Sequence, residues 1–224
     1  APSVRDGRLR FLTRSAEDDD LLERLRLPGR LRVAGGEDVL AVVNRNANPS
    51  KIDSFLRQQV DYRVDWEPSD GTVSSTVTVT LSNDAPGTGL PDLVIGNTHG
   101  LAKGTNRTDV AVVTPFQLDR VTVDGTEVPV TPTLEGALYR YTVRVPVDSR
   151  GEVEVRFDLR GEVTAGTGYR LTLVDHPTLD PTESTVAVTS PGTDVRGIAP
   201  AGTTGNAGTA AVSGGVHQLE FQAG

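Results

Sequence analysis

The chain has 224 residues, a formal net charge of -8 and a pI near 4.9, with 36% hydrophobic and only 4% aromatic residues. This acidity, with no basic patch interleaved with aromatics, argues against nucleic acid as a partner. The absence of Cys removes disulfides, thiolate metal ligands and cysteine nucleophiles, and the single Trp leaves a core of Val, Leu, Ile and Ala to be expected.

The first segment is expected to be β-α-β. Gly7 to Thr13 alternates like a strand, and Ser15 is placed to cap a helix. The acidic run Glu17–Asp20 suits the positive end of the helix dipole, Leu21, Leu22 and Leu25 form an apolar stripe, and Pro28-Gly29 is a stop signal. Asp38 to Val43 is a short continuous apolar run, the pattern of a strand buried on both faces. The Asn- and Pro-rich stretch Asn44 to Ser50 follows as a loop, with a short helical turn expected around Ile52 to Arg57.

From Gln59 to Val163 the periodicity is that of antiparallel strands. Val60, Tyr62, Val64 and Trp66 share one face. Gln59–Glu67 and Thr72–Leu81, joined by Pro68-Ser69-Asp70-Gly71, are expected to form a hairpin. Further strands are expected over Asp109–Thr114, Leu118–Val123, Glu127–Val130, Leu138–Val147 and Glu152–Val163, with turns at Asp124-Gly125 and Asp148–Gly151. Beyond Ala165–Gly168 the strands Tyr169–Val174, Thr182–Ser190, Asp194–Ile198, Thr209–Ser213 and Gln218–Phe221 would form either a small second sandwich or additions to the first. The Gly-rich run 202–208 is expected as a loop. The fold class expected is therefore mostly β, an antiparallel sandwich preceded by a β-α-β segment and followed by a smaller β unit. The expected divisions are residues 1–57, 58–165 and 166–224.

Two motifs carry a resemblance. Asn44 and Asn46 lead into Asn48-x-x-Lys51-Ile52-Asp53-Ser54-Phe55-Leu56, and Thr80-Leu81-Ser82-Asn83-Asp84-Ala85-Pro86-Gly87-Thr88-Gly89-Leu90-Pro91 ends a strand in a loop that runs on to Gly96. Together they resemble the C-terminal part of a membrane-anchored actinobacterial envelope family, domain of unknown function four-zero-one-two. The resemblance is clearest from Asp38 to Gly96. It implies an extracytoplasmic, surface-anchored parent and brings no catalytic residue. The dominance of Arg, with Lys51 and Lys103 the only lysines, fits a high-GC bacterial genome. No apolar run is long enough to span a membrane and no signal peptide is evident. The chain contains no Met, so it is expected to be a piece of something longer, with any anchor outside it.

The residues bearing possible chemistry are few. His99, His176 and His217 lack metal-ligand spacing. Gly-x-Ser-x-Gly is absent, and the Gly87–Asp92 run fails the dinucleotide fingerprint, so no cofactor is expected. An isopeptide bond at Lys51 would need a buried lysine beside an Asn and a carboxylate; its place in a loop favours a lysine that caps carbonyls or pairs with an acid. Carboxylates such as Asp175 with Asp180 are expected on solvent faces. The candidate interaction or fold-determining residues are thus Asn44, Asn46, Lys51, Asp53, Asn83, Pro86, Gly89, Leu90, Pro91 and Gly96. The expected function is a non-catalytic structural or interaction module of the envelope, whose partners would be other envelope proteins or cell-wall glycan. The alternatives are an accessory domain of an envelope polysaccharide-processing enzyme, or a carbohydrate-binding module. The last would ordinarily need exposed aromatics, whereas Trp66 and the tyrosines fall at core positions.

Overall fold

The computed structural model describes Ser15, Glu17, Asp18, residues 35–198 and residues 208–224. The expected strand over Gly7 to Thr13, the stripe of Leu21, Leu22 and Leu25, and most of the 202–208 loop lie outside the described residues. Ser15 does accept a hydrogen bond from the Asp18 amide at 3.4 Å, the contact of an N-cap.

The described residues form a β-sandwich of two seven-stranded sheets. The strands are β1 (Asp38–Asn46), β2 (Leu56–Trp66), β3 (Thr72–Asn83), β4 (Asn106–Thr114), β5 (Gln117–Val123), β6 (Thr126–Glu127), β7 (Thr133–Glu135), β8 (Leu138–Val147), β9 (Glu152–Glu162), β10 (Gly168–Asp175), β11 (Glu183–Thr189), β12 (Val195–Ile198), β13 (Thr209–Ser213) and β14 (Val216–Ala223). The first sheet runs β12-β14-β10-β1-β4-β8-β7 and the second β13-β11-β2-β3-β9-β5-β6. A 3-10 turn (Ile52–Phe55) carries the chain from the first sheet to the second, and one short helix, α1 (Asp92–Ile95), interrupts the loop between β3 and β4.

The alternation in the sequence explains the packing. On β2 the positions Val60, Tyr62, Val64 and Trp66 are buried, and on β3 Val73, Val77, Val79 and Leu81 face the same interior. They meet Leu40, Val42, Val110 and Val112 of the first sheet in one continuous core. Rings pack together within it, with Trp66 at 5.5 Å from Tyr169 and Tyr169 at 6.3 Å from Phe221. Gly161 leaves room for Phe116, since a methyl group there would approach the ring to 2.2 Å. The outer face of the first sheet bears a second buried apolar cluster, Val39, Ala41, Val113, Leu138 and Val174, so β1 is buried on both faces as its unbroken apolar run requires.

Two features depart from expectation. The sheets are mixed: β1 pairs in parallel with β10, and β2 in parallel with β11. The boundaries at 57/58 and 165/166 separate no cores, because β1 lies between β4 and β10 and the C-terminal strands extend both sheets. Only strands far apart in the chain can complete these edges, so no local signal marks the pairing. Thr133–Glu135 adds a short edge strand, while the strand expected over Glu127–Val130 shrinks to Thr126–Glu127.

Candidate functional site

The loops singled out in the sequence meet at one end of the sandwich. Ile52, Ala85 and Ile95 form a small buried cluster, with Phe55, Leu90 and Val94 packed against it. The Lys51 amide donates to the Leu93 carbonyl at 2.9 Å, and the Asp84 amide to the Phe55 carbonyl at 2.9 Å, so the two loops are stitched backbone to backbone.

Asn83 is the pivot of this joint. Its buried amide group reaches the carbonyls of Gly104, Val147 and Asp148 at 2.8, 2.9 and 3.0 Å, and its Oδ1 accepts from the Ala85 amide at 3.0 Å. Asn46 donates to the Ser50 carbonyl at 2.8 Å and accepts from the Asn48 amide at 2.7 Å. Asn44 is buried within β1 opposite Val110. Asp53 accepts from Asn106 at 2.9 Å, and burial raises its carboxyl above the usual range against the lowering pull of Asn106 and His176.

Pro91 ends its extended segment as the first carbonyl of α1, accepting from the Val94 and Ile95 amides. Gly96 closes that turn on the Asp92 carbonyl at 2.8 Å. Pro86 presents its carbonyl to Gly104, which has φ +88° and where a Cβ would stand 2.6 Å away. Gly89 takes φ +84° in open space. Lys51 is exposed, which leaves it without the buried setting an isopeptide bond needs. Most of these residues therefore hold the loops together.

A concave feature lies elsewhere. A groove of about 610 Å³ crosses the outer face of the second sheet over β11, β2, β3 and β9. The registers set its lining out in cross-strand rows. One row is Glu183–Gln59–Thr80–Glu154, the next Thr185–Asp61–Thr78–Arg156, and the third contains Arg63–Thr76, flanked by Asp158 of β9. Neighbouring strands stand about 4.8 Å apart, so hydrogen-bonding groups recur at that interval across the face. Arg63 is engaged by Asp61 at 3.1 Å, and Asp158 by Arg156 at 2.8 Å and Arg120 at 2.7 Å. Burial raises the Asp158 carboxyl, but its bonds to Arg120, Arg156 and Thr76 outweigh this and hold it below the usual range. No aromatic ring lines the groove.

These residues carry no motif in the sequence, although the outward phase of β3, Thr76, Thr78 and Thr80, is visible in the alternation of Thr72–Leu81. Asp175, expected on a solvent face, is instead wholly buried at the end of β10, where it accepts from Ser184 at 2.9 Å.

The histidines stand apart from the groove. His99 contacts the Ala47 carbonyl at 3.2 Å and Arg107 at 2.9 Å, and His217 the Gly214 carbonyl at 2.7 Å. Among the described residues no three His, Cys, Asp or Glu side chains are grouped to hold a metal ion, and no helix is long and apolar enough to cross a membrane.

No family model and no curated protein matches the chain. Among solved structures it is similar to a putative nutrient binding protein from Legionella pneumophila subsp. pneumophila str. Philadelphia 1, with TM-score 0.46, 10% identity and coverage of 84% of this chain and 72% of that one. It is also similar to yeast LTA4 hydrolase in complex with bestatin, with TM-score 0.44, 11% identity and coverage of 90% and 32%. An M1 zinc metallopeptidase mutant from Deinococcus radiodurans gives TM-score 0.37, 15% identity and coverage of 77% and 45%. The chain thus spans less than half the length of either peptidase-type structure, and these likenesses carry nothing about ligand or reaction.

Proposed function

We propose that this chain is a non-catalytic structural or interaction module of an extracytoplasmic, surface-anchored actinobacterial envelope protein, and that the groove on the second sheet is its contact surface. The observation that carries the reading is the lining itself. Four strands present threonine hydroxyls, carboxylates and guanidinium groups on one concave face, and the Thr76 hydroxyl, which donates to Asp158 at 3.0 Å, meets a carboxylate already engaged by Arg120 and Arg156 and held below the usual range, a poor base for activating a nucleophile. The partner is another envelope protein or cell-wall glycan.

A carbohydrate partner is favoured by one specific feature. The spacing between strands is close to the length of a pyranose unit, so a glycan laid across the strands meets one hydrogen-bonding group per sugar. Binding would rest on those bonds without stacking, because Trp66, Tyr62 and Tyr169 are in the core. The same surface would serve an accessory domain whose parent enzyme carries its catalytic groups outside these residues.

The test is retention of the purified protein on isolated actinobacterial cell walls, compared with Thr78→Arg, which fills the centre of the groove. Retention of the parent and at least a tenfold loss in the variant are expected. Equal retention of both would remove the groove from the account, and turnover of a wall polysaccharide by the purified chain would contradict its non-catalytic character.

A further inference from the structure

Two carboxyl groups are buried between the sheets. Asp38, at the start of β1, is fully buried in the first sheet. Its Oδ2 accepts from Tyr62 of the second sheet at 2.7 Å and from Tyr169 of β10, while Ser75 of β3 stands 3.3 Å from the Tyr62 hydroxyl. Asp175 ends β10, beside Val42 and four residues along from the partner of Asp38, and takes a 2.9 Å bond from Ser184 of β11. Both acids therefore tie the first sheet to the second.

Each tie is incomplete in the same way. Among the described residues Asp38 Oδ1 and Asp175 Oδ2 are buried without a hydrogen-bond partner. Among the described residues no Lys or Arg forms an ion pair with either acid. The titratable groups facing Asp38 are Tyr62 and Tyr169, both hydroxyls that remain protonated, since burial and the Asp38 charge push them well above their ordinary range. Asp175 is faced by Ser184 and feels His217 of β14 only electrostatically. An ionised carboxylate in either place is under-compensated, whereas a neutral acid suits the site.

We propose that Asp38 and Asp175 form a pH-responsive latch between the two sheets, closed when the acids are neutral and loosened when they ionise. Burial is the first cause of a raised pKa in both, to about 6 in each case, outweighing the lowering bonds from Tyr169, Tyr62 and the Val39 backbone at Asp38 and the lowering influence of Ser184 and His217 at Asp175. A folded-state pKa above the unfolded value adds stability that is fully present below pH 3.8 and is lost as pH rises through about 6. Acidification from pH 7 to pH 5 therefore tightens the sandwich.

The protein contains its own reporter. Trp66, the single Trp, packs at 5.5 Å against Tyr169, whose hydroxyl is bonded to Asp38. Tryptophan emission followed from pH 4 to 8 should show a transition centred near 6. Asp38→Asn should abolish it, and Asp175→Asn should leave it in place. Tyr62→Phe, which removes one donor to the carboxylate, should move the midpoint upward. The urea midpoint of the parent protein should be higher at pH 5 than at pH 7, with the difference reduced in Asp38→Asn. An emission transition that persists unchanged in Asp38→Asn would overturn the latch, as would a urea midpoint equal or lower at pH 5. Should Asp38→Asn not fold, an unmoved midpoint in Tyr62→Phe would overturn it.

Discussion

Asn83 shows how much one side chain can organise. It reaches three carbonyls belonging to the β4 approach and the β8–β9 turn, and fixes the following residue through Ala85. Asn83→Ala would remove this donor from the Gly104 and Val147 carbonyls, while the Asp148 carbonyl keeps the Gly151 amide, and leaving a buried group unmet costs about 1–3 kcal/mol. The variant should lose roughly 3 kcal/mol in urea unfolding, with slow-exchanging amides of the 84–105 loop becoming fast. A loss under about 0.5 kcal/mol would show that the loop is held by its apolar cluster instead.

At the level of elements, side-chain ladders reinforce the strand pairing. On the first sheet Asp109 of β4 sits between Arg45 of β1, at 2.6 Å, and Arg144 of β8, at 2.5 and 3.0 Å. The bond from Arg144, joined by that from Arg45, holds its carboxyl below the usual range despite partial burial. A depressed folded-state pKa adds stability that is present above about 3.8 and lost as pH falls further. Asp109→Asn should therefore lower stability at pH 5 to 7 and flatten the loss of stability that the parent shows below pH 4. An unchanged acid limb in that variant would remove Asp109 as its source.

The sequence made the local pairings legible and left the distant ones hidden. The hairpin of β2 and β3 is written in two alternating runs and the Pro68–Gly71 turn, and β8 follows its alternation from Leu138 to Val147. The parallel joins of β1 to β10 and β2 to β11 bring together residues more than a hundred positions apart, and parallel partners carry no turn signal between them. The candidate loops were legible as interaction or fold-determining segments, because clustered Asn, Pro and Gly need partners for their backbone groups, but not that they meet one another. The groove needed the registers, since only they place Gln59, Thr80, Glu154 and Glu183 in one row. Asp38 and Asp175 were illegible for another reason: an acid at the end of an apolar run normally meets solvent, and only closure of the second sheet over the first takes that solvent away.

Across the whole molecule the two faces of the second sheet divide the work. Its inner face supplies part of the core and the Tyr62 and Ser184 donors to the buried acids, and its outer face supplies the groove. The residues of the loop end bond largely to one another, and the groove is the proposed contact surface. The most direct measurement is amide chemical-shift mapping of the isotope-labelled protein during titration with neutral polysaccharide released from actinobacterial cell walls. The account predicts progressive shifts at Gln59–Arg63, Thr76–Thr80, Glu154–Arg156 and Glu183–Thr185, with the 84–105 loop unmoved. Shifts concentrated in that loop, or none anywhere at saturating polysaccharide, would contradict it.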